Sequence, residues 1–401
     1  MSKKLKMAII GTGTRGINCF GQILCKRDDV EITALCDTNP VRVKAAAEIL
    51  KVNANCYTSI ADMAANETLD GVIITTPDKE HFDCSMQALQ CGWNVLIDKP
   101  LATNAADCKK LIEEAQKSSK TLMIGFNLRH SEVLKRLKSF IDDGTLGKVF
   151  LAENREFYDG GKTYMARWNR SYEMTGGLWI HKGSHDFDIF NWLLGFPKPV
   201  RVSSFAGVNV LDKDHLPFEL VDGKQPGPDC NHCFYQDKCK DKFVLKDDEL
   251  KLWGDEAIAC DGYVKNVCMY LSEKSNHDNG IAMVEYENGI KVSLMECFIG
   301  SKNDRVYTVV GDKATAEVSL HNGTITIIPR WGGEVVTYNV QIPEGGHGGS
   351  DPNLVDTFCR VVSGETSSTS TAEHGMLSTA LGQAAEISRR EHRMVEMREL
   401  L

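Results

Sequence analysis

One stretch constrains this chain more than any other, the run from Met7 to Asp37. Met7–Ile10 is a short apolar run that ends in Gly11-Thr12-Gly13-Thr14-Arg15-Gly16. A helix-compatible segment follows, then a second apolar run, Val30–Cys36, closed by Asp37. Strand, glycine turn, helix, strand and acid in that order form a dinucleotide-binding unit. Gly11 suits the tight turn out of the strand. Gly13 lets the backbone approach a pyrophosphate, and Gly16 lets the helix pack close to the strand. The first helical turn, with Thr14 and Arg15, offers free N–H groups to the phosphates. Asp37 stands 21 residues beyond Gly16, where a carboxylate receives ribose hydroxyls and repels a 2′-phosphate. The expected cofactor is therefore NAD rather than NADP.

Residues 1–127 continue the same alternation. Asn39 and Pro40 start a helix through Leu50, and Asn104 caps another to about Ser118. Gly71–Thr75, Asn94–Ile97 and Thr121–Gly125 read as buried strands, with a helix from about Glu80 to Cys91. This predicts a doubly wound parallel sheet of the Rossmann type, with ligands at the carboxyl ends of its strands. Three of those ends carry chemistry: Thr76-Pro77 with His81, Asp98-Lys99-Pro100, and Asn127 with Arg129. Thr76, Pro77, His81, Asp98 and Asn127 are expected along the cofactor. Lys99 is expected in the crevice, where a cationic nicotinamide would lower its pKa and suit it to exchange a proton with a sugar hydroxyl.

Residues 128–401 read as a second, α+β domain. Ser131 caps a helix to about Asp142, and from Lys148 the pattern turns β-rich, with one helix inside it and then the alternating runs Arg201–Val210, Gly280–Tyr286, Lys291–Cys297, Arg305–Gly311, Ala314–Ser319, Thr324–Ile328 and Val335–Val340. Turns at Glu287-Asn288-Gly289 and His321-Asn322-Gly323 predict a large, mostly antiparallel open sheet. A bare face on that sheet would serve a homodimer or homotetramer. Within the domain, the helix after Gly176-Gly177 carries His181, His185 and Asp188 at i, i+4 and i+7, one face suited to acid–base work or metal ligation. Tyr164, Arg167 and Trp168 precede it as candidate pocket residues. His347 sits in a glycine-rich loop, a candidate lid or substrate contact, ahead of closing helices at 352–363 and 370–389.

A polar insertion, about 211–263, holds Cys230-Asn231-His232-Cys233 and Cys239. That spacing suits a structural zinc, with Cys268 or Cys260 as the fourth thiolate. The 14 cysteines and the absence of a signal-like leader predict reduced thiols and a cytoplasmic protein. A net charge of −9 argues against nucleic-acid or membrane-surface partners, and no apolar run approaches the ~18–20 residues of a membrane span.

Together these residues resemble the Gfo/Idh/MocA family. The resemblance rests on Gly11, Gly13 and Gly16, on Asp98-Lys99-Pro100, on Asn127 and Arg129, and on the GG…HKGSHDFD helix. It implies an NAD(P)-dependent oxidoreductase of sugars, cyclitols or polyols, with Lys99 and His185 carrying proton transfer and position 181 holding substrate. Two departures stand out: Asp98 replaces the family's usual glutamate, and His181, followed by Lys182, replaces a common acid. Two rival activities are a redox-neutral glycosidase or lyase that oxidises its sugar transiently, and a non-catalytic NAD(H) sensor.

Overall fold

The computed structural model describes residues 4–401 and contains two sheets. The first comprises β1 (Leu5–Ile10), β2 (Val30–Cys36), β3 (Asn55–Tyr57), β4 (Gly71–Ile74), β5 (Asn94–Ile97) and β6 (Leu122–Ile124). Its order is β3-β2-β1-β4-β5-β6, and every pair is parallel. Alternation along each strand divides the core. Ala8, Ile10, Val72, Ile74, Val95 and Ile97 meet Leu89, Cys108 and Leu111 of the helices His81–Gln90 and Ala105–Ser118. Met7, Ile9, Ile73 and Leu96 face the other way, toward Ile17, Phe20 and Val43. Leu354, Val355 and Phe358, from the distant helix Ser350–Val362, complete that second layer. The strand order reverses between β1 and β4, and the glycine turn and Thr75-Thr76 flank that point.

The second sheet holds β7 (Val149–Phe157), β8 (Pro199–Gly207), β9 (Asn279–Tyr286), β10 (Lys291–Cys297), β11 (Asp304–Gly311), β12 (Ala314–Ser319), β13 (Thr324–Pro329), β14 (Val336–Asn339) and β15 (Val395–Glu396). The order is β14-β13-β12-β11-β7-β10-β9-β8-β15, antiparallel except where β7 meets β10. Central β7 escapes the apolar-run reading because its inward face carries Asn154 and Glu156, both buried. Helices Gly183–Leu193 and Ala372–Glu391 cover the inner face through Phe187, Phe190, Leu193, Leu381 and Ala384. The outer face keeps Phe205, Ile281 and Met283 exposed at 74%, 44% and 48%.

Two helices differ from the expectation. The one after the glycine turn is wide over Arg15–Gly21 and regular only over Gln22–Leu24. The one after Gly177 is split into Leu178–His181 and Gly183–Leu193, with Lys182 between them turned toward Glu156. No helix of the described residues is long and apolar enough to cross a membrane.

Candidate active site

A cavity of about 760 Å³ lies between the carboxyl ends of the parallel sheet and the second domain. Thr14, Arg15, Lys99, His181, Lys182, His185 and His347 line it, with Arg15 and His347 side by side on Asp351. Tyr164, Arg167 and Trp168 also line it.

Partners divide the two histidines into different chemical states. His181 Nδ1 lies 2.7 Å from Asp78 Oδ2, and its Nε2 accepts from Asn169 Nδ2 at 2.9 Å. With Nε2 accepting, Nδ1 carries the proton and donates to Asp78. Burial, then the cations of Lys99 and Lys182, hold its pKa well below the usual value, so the ring is neutral with both nitrogens committed. The rings of Tyr164 and Trp168 each meet it edge-on at 5.3 Å. His185 is also held well down, by burial and then by Lys99 and Arg305. Its Nδ1 is buried with no hydrogen-bond partner, and its ring borders the cavity. His185 is thus a neutral imidazole with its Nδ1 not consumed by the fold.

The two lysines divide in the same way. Lys182 Nζ pairs with Glu156 at 3.0 Å, and this attraction outweighs the burial that would otherwise lower its pKa, so it remains charged. Glu156 is itself shared with Arg305, which also binds Asp186. Lys99 Nζ donates to the main-chain oxygen of His181 at 2.5 Å. Burial brings its pKa down to about 8, against the pull of Asp78 and Asp98. Asp78, absent from the sequence reading, follows Pro77 at the end of β4, and burial pushes its carboxyl well up. The Thr-Pro-Asp tripeptide was the available signal.

The glycine turn fits a dinucleotide. Gly11 has φ +89°, and a Cβ there would meet Thr76 N at 2.6 Å. A Cβ on Gly16 would lie 2.3 Å from Gly11 O, so close helix packing requires glycine. Asp37 Oδ2 accepts from Thr12 N and Thr12 Oγ1 at 2.9 and 3.1 Å, which fixes the carboxylate beside the turn. Oδ1 receives Arg42 Nη1 at 3.0 Å, an ion pair that the sequence did not reveal. Thr76 Oγ1 and one oxygen of Asp98 are buried without partners beside the cleft. These features would hold the cofactor's phosphates, ribose and nicotinamide end.

Several sequence candidates are occupied elsewhere. Arg15 bridges Asp98 at 2.9 Å and Asp351 at 2.9 Å. Asn127 Nδ2 donates to Asp351 at 2.8 Å, and His347 Nδ1 lies 2.7 Å from the same carboxylate. His81 ties the main-chain oxygens of Pro100 and Thr76 together. Arg129 and Asp188 bind each other through two bonds, at 2.6 and 2.8 Å, deep in the protein and away from the cavity lining. The shared face expected for His181, His185 and Asp188 is therefore interrupted by the break at Lys182.

The zinc expectation is corrected. Cys230, Cys233, Cys239 and Cys268 do line one small cavity, of about 20 Å³. Among the described residues, however, no three His, Cys, Asp or Glu side chains are grouped as a metal ion requires. Burial pushes the Cys230 thiol up to about 11. Cys260 is exposed and outside that cavity.

Comparison with known proteins agrees with this geometry. The family model described as "Oxidoreductase family, NAD-binding Rossmann fold" matches residues 5–126, and its companion, "Oxidoreductase family, C-terminal alpha/beta domain", matches 138–397. YteT of Bacillus subtilis (strain 168), named as an oxidoreductase, is 28% identical over 97% of this chain and 97% of its own length. Inositol 2-dehydrogenase of Salmonella typhimurium is 30% identical over 47% of this chain and 54% of its own, so that match spans about half of the enzyme. The WlbA dehydrogenase of Bordetella pertussis, solved with NADH and UDP-GlcNAcA, shares the fold with a TM-score of 0.70 at 19% identity, covering 98% of this chain and 99% of its own.

The Arg129–Asp188 pair makes a stability prediction. Arg129→Met leaves a buried carboxylate unpaired, which costs about 3–5 kcal/mol. Urea unfolding of the variant should show that loss, and an unchanged midpoint would contradict a structural role.

Proposed function

The chain belongs to the Gfo/Idh/MocA family of oxidoreductases, and on that premise we propose that it moves hydride between NAD and a secondary alcohol or ketone of a sugar, cyclitol or related polyol. Bound NAD supplies the hydride chemistry, and the chain supplies position and proton transfer. The observation that carries the reading is the contrast between His185 and its neighbours: it is a neutral histidine on the cavity wall with a nitrogen left unpaired. In the oxidative direction His185 takes the hydroxyl proton, and Lys99 shares that work from the end of β5. His181, pinned by Asp78 and Asn169, orients the substrate, with Tyr164, Arg167, Trp168 and Lys182 as the pocket wall. His347 borders the same pocket beside Arg15. Arg129 and Asp188 are assigned to structure instead.

NAD is favoured over NADP on two counts. Asp37 stands where a 2′-phosphate would fall, and Arg42, the nearby cation, is already paired with two carboxylates. Its three nitrogens donate to Asp37, to Asp261 and to Leu252 O. The division of labour is residues 1–127 for the cofactor and 128–401, within which the insertion at 211–263 falls, chiefly for substrate and self-association. The exposed face carrying Phe205, Ile281 and Met283 is assigned to a second copy of the chain, as a homodimer or as half of a homotetramer.

Three measurements test these assignments. Lys99→Met and His185→Asn should each lower kcat by roughly 10²–10⁴, the usual worth of an acid–base group. Wild-type turnover in both variants would refute them. Lys99 becomes neutral as pH rises through about 8. The kcat/KM for oxidation should therefore climb toward that pH and then level, and Lys99→Met should flatten the rise. Phe205→Glu should dissociate the oligomer in light scattering, and an unchanged mass would move the interface elsewhere.

A further inference from the structure

The cavity opens the nicotinamide end of the site but not the adenosine end. Gly11, Gly13 and Asp37 are absent from its lining, and the cysteine-containing insertion lies beside Gly13 through Trp253. Two short helices of that insertion, Asp248–Trp253 and Asp255–Asp261, lie against the helix Pro40–Leu50. Leu252 is fully buried among Val43, Ala46 and Leu50 of the first domain. The next residue, Trp253, places its indole over the glycine turn, with Cζ2 3.2 Å from where a Cβ on Gly13 would stand. That is the space Gly13 leaves free for a pyrophosphate to approach.

Polar contacts hold the cover in place. Asp261 Oδ2 accepts from Arg42 Nη2 and from Asn39 Nδ2, each at 2.8 Å. The Arg42 guanidinium stacks on the Trp253 ring at 4.1 Å and is the same group that pairs with Asp37. Lys265 Nζ, buried, donates to Thr14 Oγ1 and to Glu249, each at 2.8 Å. The insertion is thus fastened at Thr14, Asn39 and Arg42, directly beside the expected cofactor ligands Gly13 and Asp37. One feature of the cover is unsatisfied: Trp253 Nε1 is buried with no acceptor. A buried indole N–H without a partner carries a desolvation cost that a polar ligand in the cleft would remove.

We infer that the insertion is a gate on the adenosine half of the dinucleotide site, with Trp253 as its closing side chain and the Asp261–Arg42 and Lys265–Thr14 contacts as its latches. NAD enters and leaves only when the two helices lift from the glycine turn. The inference deepens the NAD reading and rests on it. It also gives the insertion a role that does not require a metal: the packed cysteines form the body of the cover.

Stopped-flow binding of NADH to the full-length protein tests this, read by energy transfer from tryptophan to the bound cofactor. The wild type should show an association rate that saturates with NADH concentration, because gate opening precedes binding. Trp253→Ala should associate and dissociate faster, each on the order of tenfold, with a linear concentration dependence. Asp261→Ala, which releases a latch without touching the indole, should shift both rates in the same direction and guards against a folding defect in the first variant. Linear wild-type association with rates unmoved in both variants would overturn the gate. So would faster dissociation at an unchanged association rate, which would make Trp253 a plain adenine contact. Equilibrium titration separates the underlying reading: absence of NADH binding in wild type and variants alike would remove the cofactor assignment, and the gate with it.

Discussion

A single buried carboxylate, Asp351, joins the parts of the chain that form the cleft. Its Oδ1 accepts from Arg15 and Asn127, and its Oδ2 receives Arg15 and His347. Burial alone would push the carboxyl up, but His347 and Arg15 hold it far below the usual carboxylate range. Arg15 follows the glycine turn, Asn127 follows β6, and Asp351 opens the helix Ser350–Val362, which packs into the core of the first sheet. The C-terminal part of the chain is thereby tied to the cofactor half. Unpairing such a buried charge carries a heavy penalty, so the cleft has little freedom to widen at this point.

Within the cleft, identical residue types are given opposite states by their partners. His181 is consumed by Asp78 and Asn169, whereas His185 keeps a nitrogen unspent. Lys182 is held charged by Glu156, whereas burial moves Lys99 toward neutrality. Pairs of like groups driven apart by their surroundings mark acid–base sites. They account for why two of four neighbouring basic residues are proposed to exchange protons and two to position.

Much of the fold was legible in the sequence. The short continuous apolar runs, the glycine turn and the capping residues Asn39 and Asn104 place the parallel sheet, because each is a local signal. What escaped depends on residues distant in the chain. Arg129 and Asp188 are 59 positions apart, and their mutual pairing is visible only in the fold. Arg15 and Asn127, expected along the cofactor, share the partner Asp351, which lies more than two hundred positions away. Central β7 was hidden by the polar side chains it turns inward, which serve the Glu156–Lys182–Arg305 network below the cavity. The insertion was read through its cysteines, whereas its contacts with the glycine turn come from Trp253, Asp261 and Lys265, which no spacing rule singles out.

The most direct test of the account is turnover on a panel of free sugars, cyclitols and chromogenic glycosides, with and without added NAD, recorded at the absorbance of reduced nicotinamide. The account predicts NADH accumulating in proportion to a free sugar or cyclitol consumed. Release of the chromogenic aglycone with no net NADH would contradict it and make the chemistry redox-neutral.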